Sequence, residues 1–138
     1  MSAAGDRQAG VTLLEALVVI AVVAMIAAII APNIETSLNL LSLRQSASVL
    51  QADLRVARAT ALRTGSKVTV KERPDGHGYD WIGGSRQFPQ AISLSMSNPV
   101  TFMADGSLIP ATISVASGTR HIPVVINSTT GAVTAGGK

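Results

Sequence analysis

An almost unbroken apolar stretch from Gly10 to Ile34 limits what this chain can fold into. From Ala16 to Ala31 no side chain is polar. At about 1.5 Å per residue, a helix over Val11 to Ala31 would be roughly 31 Å long, close to the thickness of a bilayer's hydrocarbon core. A secretory signal peptide would have a shorter apolar core followed by a small-residue cleavage site, whereas Pro32 and Asn33 end this run. The stretch therefore predicts a single membrane-spanning helix.

Glu15 lies inside this apolar stretch and needs a partner there. A carboxylate near the centre of a membrane helix costs about 2.5–3.5 kcal/mol on insertion scales, and less toward the interface. No cationic residue follows Glu15 before Pro32, so its partner must lie upstream or on another molecule. Cleavage before Val11 would supply one, because it creates an α-amino group about one helical turn from the carboxylate.

The hexapeptide GVTLLE at residues 10–15, followed by the apolar run, resembles the processing signature of type IV pilins and type II secretion pseudopilins. The resemblance implies that a prepilin peptidase cleaves between Gly10 and Val11 and methylates the new amino terminus on Val11. It also implies that the carboxylate of Glu15 recruits the subunit into a helical filament. Further assembly residues implied by the signature are Thr12, Leu13 and Leu14. The family usually has phenylalanine at the position of Val11, and this exchange is apolar for apolar.

Four segments follow from these features. They are a cytoplasmic leader over residues 1–10, a transmembrane helix half over 11–33, an amphipathic periplasmic helix half over 34–64 and a periplasmic β domain over 65–138. Pro32 lacks an amide hydrogen and its ring crowds the carbonyl of Ala28, so we predict a helix bend at Pro32. The alternative is a plain helix end at the membrane surface.

The helical pattern continues from Leu40 to Arg63 as an amphipathic helix. Apolar residues recur there at spacings of three and four, which places them on one face: Leu43, Ala47, Leu50, Leu54, Ala57 and Ala61. The polar residues predicted for the opposite, solvated face are Arg44, Gln51, Arg55 and Arg58. Gly65 is placed to end the helix. Because the apolar face is narrow and its side chains are small, we expect it to pack closely on a sheet.

Beyond Gly65 the pattern changes to short alternating segments separated by turn residues. Strands are predicted over residues 66–72, 79–82, 91–96, 99–103, 108–115 and 121–127. Turns or loops are predicted over residues 74–76, 83–85, 104–107 and 117–119, where glycine, proline and aspartate cluster. Pro110 and Pro123 should lie at an edge or a bulge, because proline cannot donate to a ladder. Trp81 and Phe102 are expected to pack in the core or on the sheet.

The predicted fold class is α+β, with the long N-terminal helix packed on an antiparallel β-sheet or a small β-sandwich. The order of the segments LRVARATALRTGSKVTV, YDW, VTFMADGS and a final TGxV is similar to the GspH/FimT group of minor pseudopilins. This resemblance extends over nearly the whole chain. The group often has arginine after the last glycine, where this chain has Ala132, which weakens any nucleic-acid role that such arginines carry.

The sequence contains no recognisable catalytic or metal-binding pattern. It has no cysteine, which excludes disulfides and thiolate metal sites. His77 and His121 have no ligand residues at metal-site spacing, and the aspartates at 75, 80 and 105 are explained by turns and strand ends. We therefore expect no enzyme activity, no metal and no cofactor.

The leading hypothesis is a minor pseudopilin of the type II secretion pseudopilus, single-pass in the bacterial inner membrane with a periplasmic C-terminal domain. Its expected partners are other pseudopilins, the prepilin peptidase, inner-membrane lipid and the assembly platform. The alternative is a FimT-like minor pilin of a type IV pilus, acting in pilus assembly or DNA uptake. Nucleic-acid binding is disfavoured, since the net charge is only +3. The residues that could support it are Arg55, Arg58, Arg63, Lys67, Lys71 and Arg73.

Overall fold

A computed structural model describes residues 12–128 and 130–136, without the side chains of Pro32 and Asn33. The chain divides into two compact units, Met1–Thr36 and Ser37–Lys138. Each unit is described by itself.

One helix, α1, extends over Leu13–Thr64 and contributes to both units. It ends where the sequence predicts, because the next residue, Gly65, has a φ of +62° that favours glycine. The helix continues through Pro32, so the proline does not end it. A bend at Pro32 stays a prediction.

In the first unit, the apolar side chains of α1 are exposed. Leu13 is 81% exposed and Ile29 is 71% exposed, and the large apolar side chains between them are at least half exposed. By length and apolar composition α1 could cross a membrane, a test that N-terminal signal sequences also pass. An apolar surface of this extent indicates contact with lipid or with other proteins.

The second unit contains the hydrophobic core. All six residues predicted for the apolar face of the helix, from Leu43 to Ala61, are at most 2% exposed. They pack with buried strand residues in one cluster, in which the largest fully buried side chains are those of Tyr79 and Phe102. The helical period of the sequence therefore identifies the buried face correctly.

Eight strands follow the helix. They are β1 (Val68–Glu72), β2 (Gly78–Trp81), β3 (Gly84–Gln87), β4 (Ser93–Met96), β5 (Val100–Phe102), β6 (Ile113–Ser117), β7 (Arg120–Ile126) and β8 (Val133–Ala135). They form two four-stranded sheets with the strand orders β3-β2-β1-β5 and β4-β6-β7-β8. Every pair of neighbouring strands is antiparallel. The predicted α+β class, a long helix packed on antiparallel sheets, is confirmed.

The two sheets are joined where β4 meets the β1–β2 turn. The amide of Met96 donates to Glu72 Oε2 over 2.7 Å, and the amide of Leu94 donates to the carbonyl of Gly76 over 2.8 Å. Gly76 lies in the predicted Pro74–Gly76 turn, where its φ is +68°.

Three local predictions about the strands are wrong. The loop predicted over residues 83–85 is mostly strand, because β3 begins at Gly84 after a two-residue turn. The strand predicted over 108–115 begins only at Ile113, with a single bridge from Leu108 to Phe102 before it. Pro110 lies in the irregular segment between them, outside any strand. Pro123 lies in β7, an interior strand of its sheet, in regular register with Ser114 of β6, so the predicted edge or bulge is wrong for it. Its carbonyl accepts a 2.9 Å hydrogen bond from the amide of Gly136, just past the end of β8.

Candidate functional site

The start of α1 is capped by Thr12. The amide of Glu15 donates to Thr12 Oγ1 over 3.2 Å, and the amide of Ala16 donates to the Thr12 carbonyl over 3.1 Å. A hydroxyl at the N-cap followed by glutamate three residues later is the sequence pattern of a capping box. The sequence prediction assigned Thr12 to assembly alone. The Thr-x-x-Glu spacing was the signal for this second role.

Glu15 lies in the first turn of α1, where its carboxylate complements the partial positive charge of the helix N-terminus. Its side chain is exposed, as are those of Leu13 and Leu14. Gly10 and Val11, the predicted cleavage site, lie outside the described residues. The geometry therefore places three assembly candidates beside the cap, and processing between Gly10 and Val11 stays a prediction.

A buried carboxylate links the second half of α1 to the first sheet. Asp53 is 9% exposed, and its Oδ2 accepts a 2.6 Å hydrogen bond from the hydroxyl of Tyr79 on β2. Arg86 on β3 approaches the same oxygen to 3.0 Å. Burial, and then the hydrogen bond to Asp53, raise the pKa of Tyr79 well above its ordinary value. The hydrogen bond to Asp53 likewise raises the pKa of Arg86. This cluster fixes the helix on the sheet.

Polar side chains of α1 also contact the second sheet and the β5–β6 connection. Gln51 Nε2 and Arg55 donate to the carbonyl of Val133 on β8 over 2.6 and 3.1 Å. Arg58 Nε donates to the carbonyl of Gly106 over 3.2 Å. Gln51 and Arg58 are half-buried, so the predicted solvated face is wrong for them, whereas Arg55 is exposed as predicted. All three satisfy backbone carbonyls of the fold, a tertiary role that the helical period does not reveal.

An open groove of about 920 Å³ separates α1 from the start of β7. We call it the basic groove, after the side chains of Arg44, Arg120 and His121 in its lining. Leu43 and Ala47 lie along its helix wall, and both are buried. A smaller groove of about 370 Å³ lies beside Arg55, Arg58 and Gly131.

The remaining titratable candidates have structural roles. The amide of His77 donates to Asp75 Oδ1, and this bond, with the guanidinium of Arg73, lowers the pKa of Asp75. Ser107 lowers the pKa of Asp105 in the same way. His77 Nδ1 lies 2.7 Å from the carbonyl oxygen of Ile92. Within residues 12–128 and 130–136, no group of three histidine, cysteine, aspartate or glutamate side chains is arranged to hold a metal ion.

Comparisons with known proteins agree with this architecture. The prokaryotic N-terminal methylation motif matches residues 5–31, and the family described as type II transport protein GspH matches residues 46–130. The comparison with curated proteins found no match.

Two kinds of solved structure share the fold. The type IV minor pilin FimU of Pseudomonas aeruginosa PAO1 is 18% identical, with a TM-score of 0.58, and the alignment covers 69% of this chain and 88% of FimU. The minor pseudopilin EpsH from the type 2 secretion system of Vibrio cholerae is 13% identical, with a TM-score of 0.54, over 67% of this chain and 94% of EpsH.

The methylation motif coincides with the capped, exposed apolar start of α1, and the GspH match coincides with the helix–sheet unit. Because the second match alone extends over more than half of the 138 residues, the chain belongs to the type II transport protein GspH family of type IV pilin-like proteins.

Proposed function

We propose that this protein is a minor pseudopilin, a structural subunit of the periplasmic pseudopilus of a type II secretion system. The observation that carries the proposal is the order of the two family matches, a methylation motif over residues 5–31 followed by a GspH domain over 46–130. The buried carboxylate of Asp53 supports a structural role, because it contacts Tyr79 and Arg86 within the fold.

In this proposal the precursor inserts into the inner membrane with its N-terminus in the cytoplasm. A prepilin peptidase cleaves between Gly10 and Val11 and methylates Val11. The new amino group then neutralises the carboxylate of Glu15 in the same or a neighbouring subunit, because an unpaired charge in an apolar environment is costly. The exposed apolar side chains of α1 pack first against lipid and then against helices of other pseudopilins.

The second candidate function is that of a minor pilin in a type IV pilus. It is favoured by the likeness to FimU, which has the same fold and a comparable TM-score. DNA uptake is less well supported. Three of the six cationic residues considered for it already contact groups of the fold, as Arg55 and Arg58 donate to backbone carbonyls and Arg73 contacts Asp75.

Mass spectrometry of the mature protein from its host tests the processing step. We expect a first residue of methylated Val11. Gly10→Val should leave the precursor uncleaved, because the peptidase needs a small residue at the cut, while the matched leader variant Gly5→Val should be processed normally. Normal processing of the Gly10→Val variant would contradict the proposal.

Deletion in the host separates the two filament systems. For a minor pseudopilin, loss of the protein should abolish release of secreted enzymes into the medium and leave surface pili in normal number. Complementation with the unaltered chain should restore secretion. Loss of pili with normal secretion would instead establish the pilus minor pilin.

A further inference from the structure

The basic groove has basic side chains on both of its walls. Arg44 on α1 and Arg120 and His121 on β7 are all exposed, and the lining contains no aspartate or glutamate. Among the described residues, none of these three side chains makes a hydrogen bond or an ion pair. The charges of Arg44 and Arg120 are thus available to a ligand, in contrast to Arg55, Arg58 and Arg86, which contact the fold itself.

The shape of the groove suits a short extended chain. Its helix wall, from Leu40 to Gln51, is about 16 Å long at roughly 1.5 Å per residue. Its strand wall, from Thr119 to Pro123, is about 13 Å long at roughly 3.3 Å per residue. An extended peptide of about four or five residues has this length. The accessible apolar side chains of the lining, those of Leu40, Ile122 and Pro123, would contact its apolar side chains.

The lining also argues against nucleic acid as the occupant. No phenylalanine, tyrosine or tryptophan lines the groove, whereas sites for single-stranded nucleic acid typically add aromatic rings for base stacking to their positive charge. The charge of the whole unit favours an acidic partner. Residues 37–138 contain ten lysines and arginines and five aspartates and glutamates, a net charge of +5.

We infer that the basic groove binds an extended acidic segment of a neighbouring filament subunit. Carboxylates of that segment would pair with Arg44 and Arg120, and its apolar side chains would contact Leu40, Ile122 and Pro123. The identity of the partner as a filament subunit rests on the proposed function. The peptide chemistry does not, because it follows from the charges and dimensions of the groove.

Fluorescence anisotropy with the full chain in uncharged detergent micelles tests this inference. The probe is a labelled ten-residue peptide of glutamate, serine and valine, compared with the same peptide carrying lysine in place of glutamate. We expect saturable binding of the acidic peptide alone. The double variant Arg44→Glu/Arg120→Glu should weaken that binding at least tenfold, while Arg44→Lys/Arg120→Lys should retain most of it.

The matched control is Arg63→Glu/Lys67→Glu, which changes the net charge equally at exposed positions outside the groove lining. It should bind within about twofold of the unaltered chain. Equal loss in both charge-reversal variants, or no binding of the acidic peptide, would overturn the inference.

Two further results would also overturn it. One is that a ten-nucleotide single strand binds more tightly than the peptide at equal salt, and that the groove variant no longer binds the strand. The other is self-association of the chain that depends on the groove without any peptide binding. Peptide binding is independent of cleavage at Gly10, so this test and the test of the proposed function can fail separately.

Discussion

The hydroxyl of Tyr79 donates a 2.6 Å hydrogen bond to Oδ2 of Asp53, which joins the first sheet to α1 through a buried carboxylate. Tyr79 is completely buried. Arg86 brings a positive charge to the same carboxylate from the neighbouring strand. Among the described residues no buried side-chain nitrogen or oxygen lacks a partner. The cluster is therefore a fully satisfied polar contact inside an otherwise apolar interface.

Tyr79→Phe should destabilise the second unit by about 1.5–3 kcal/mol, because it removes a hydrogen bond to a charged group and leaves Asp53 only Arg86. Asp53→Ala should cost more, since it leaves the phenol hydroxyl buried without a partner. Denaturant unfolding of the full chain in micelles, followed by the fluorescence of Trp81, measures both. Trp81 is the chain's only tryptophan.

Asp80→Asn is the control for these variants. Asp80 is exposed on the same strand as Tyr79, and among the described residues its ion pair is with Arg73, over a long 3.9 Å. Its loss should change the free energy of unfolding little, as is usual for exposed ion pairs. An equal effect of Asp80→Asn and Asp53→Ala would show that Asp53 has no special role in stability.

The phenol of Tyr79 should resist ionisation in the folded protein. Its pKa is raised by burial and by the hydrogen bond to Asp53, and the unfolded value is about 10. A raised folded pKa stabilises the fold below pH 10, and this contribution is lost as the pH rises above 10. Because Tyr79 is the only tyrosine, tyrosinate absorbance reports it alone. We expect no tyrosinate at pH 10.5 in the folded protein and about three-quarters tyrosinate in denaturant; matching titrations would contradict this.

The regular parts of the fold were predictable from periodicity. Spacings of three and four identify the buried helix face from Leu43 to Ala61, and glycine with a positive φ marks the helix end at Gly65. The strand β3 was missed because its sequence, GSRQ, is fully exposed and has no apolar alternation. Its pairing with β2 follows from the tight turn before Gly84, a signal that two adjacent glycines obscured.

The polar contacts of the helix were not predictable in the same way. Asp53 drew no functional interpretation, and Arg55 and Arg58 were expected on a solvated face. Their roles depend on residues 26 to 78 positions away, namely Tyr79, Val133 and Gly106. A local period reports which side of a helix is apolar. It does not report which carbonyl or hydroxyl the tertiary fold brings to the boundary of that side.

Gly131→Ala should destabilise the chain more than Gly118→Ala. Both glycines have positive φ, +64° and +57°, so each alanine costs about 1–2 kcal/mol in backbone strain. A Cβ at Gly131 would also displace the guanidinium of Arg58, which would break its hydrogen bond to the Gly106 carbonyl, whereas the space around Gly118 is open. Unfolding in denaturant measures the difference.

The excess cost at Gly131 should disappear when Arg58 is absent. In an Arg58→Ala background, Gly131→Ala and Gly118→Ala should differ by less than about 0.5 kcal/mol, the usual limit for independent sites. If Gly131→Ala still destabilises the chain more than Gly118→Ala without Arg58, the extra cost would come from the backbone around Gly131 alone.

Glu15→Gln separates the charge of this residue from its place in the Thr-x-x-Glu capping pattern. Glutamine can serve in a capping box as glutamate does, but it cannot neutralise an amino terminus. If the charge drives assembly, Glu15→Gln should be cleaved normally yet fail to enter filaments, as Glu15→Ala should. Thr12→Val removes the cap hydroxyl and keeps the charge, so it should assemble with a frayed first turn. Immunoblots of cleaved protein and of sheared filaments measure both steps, and normal filament entry of Glu15→Gln would show that assembly does not need the charge of Glu15.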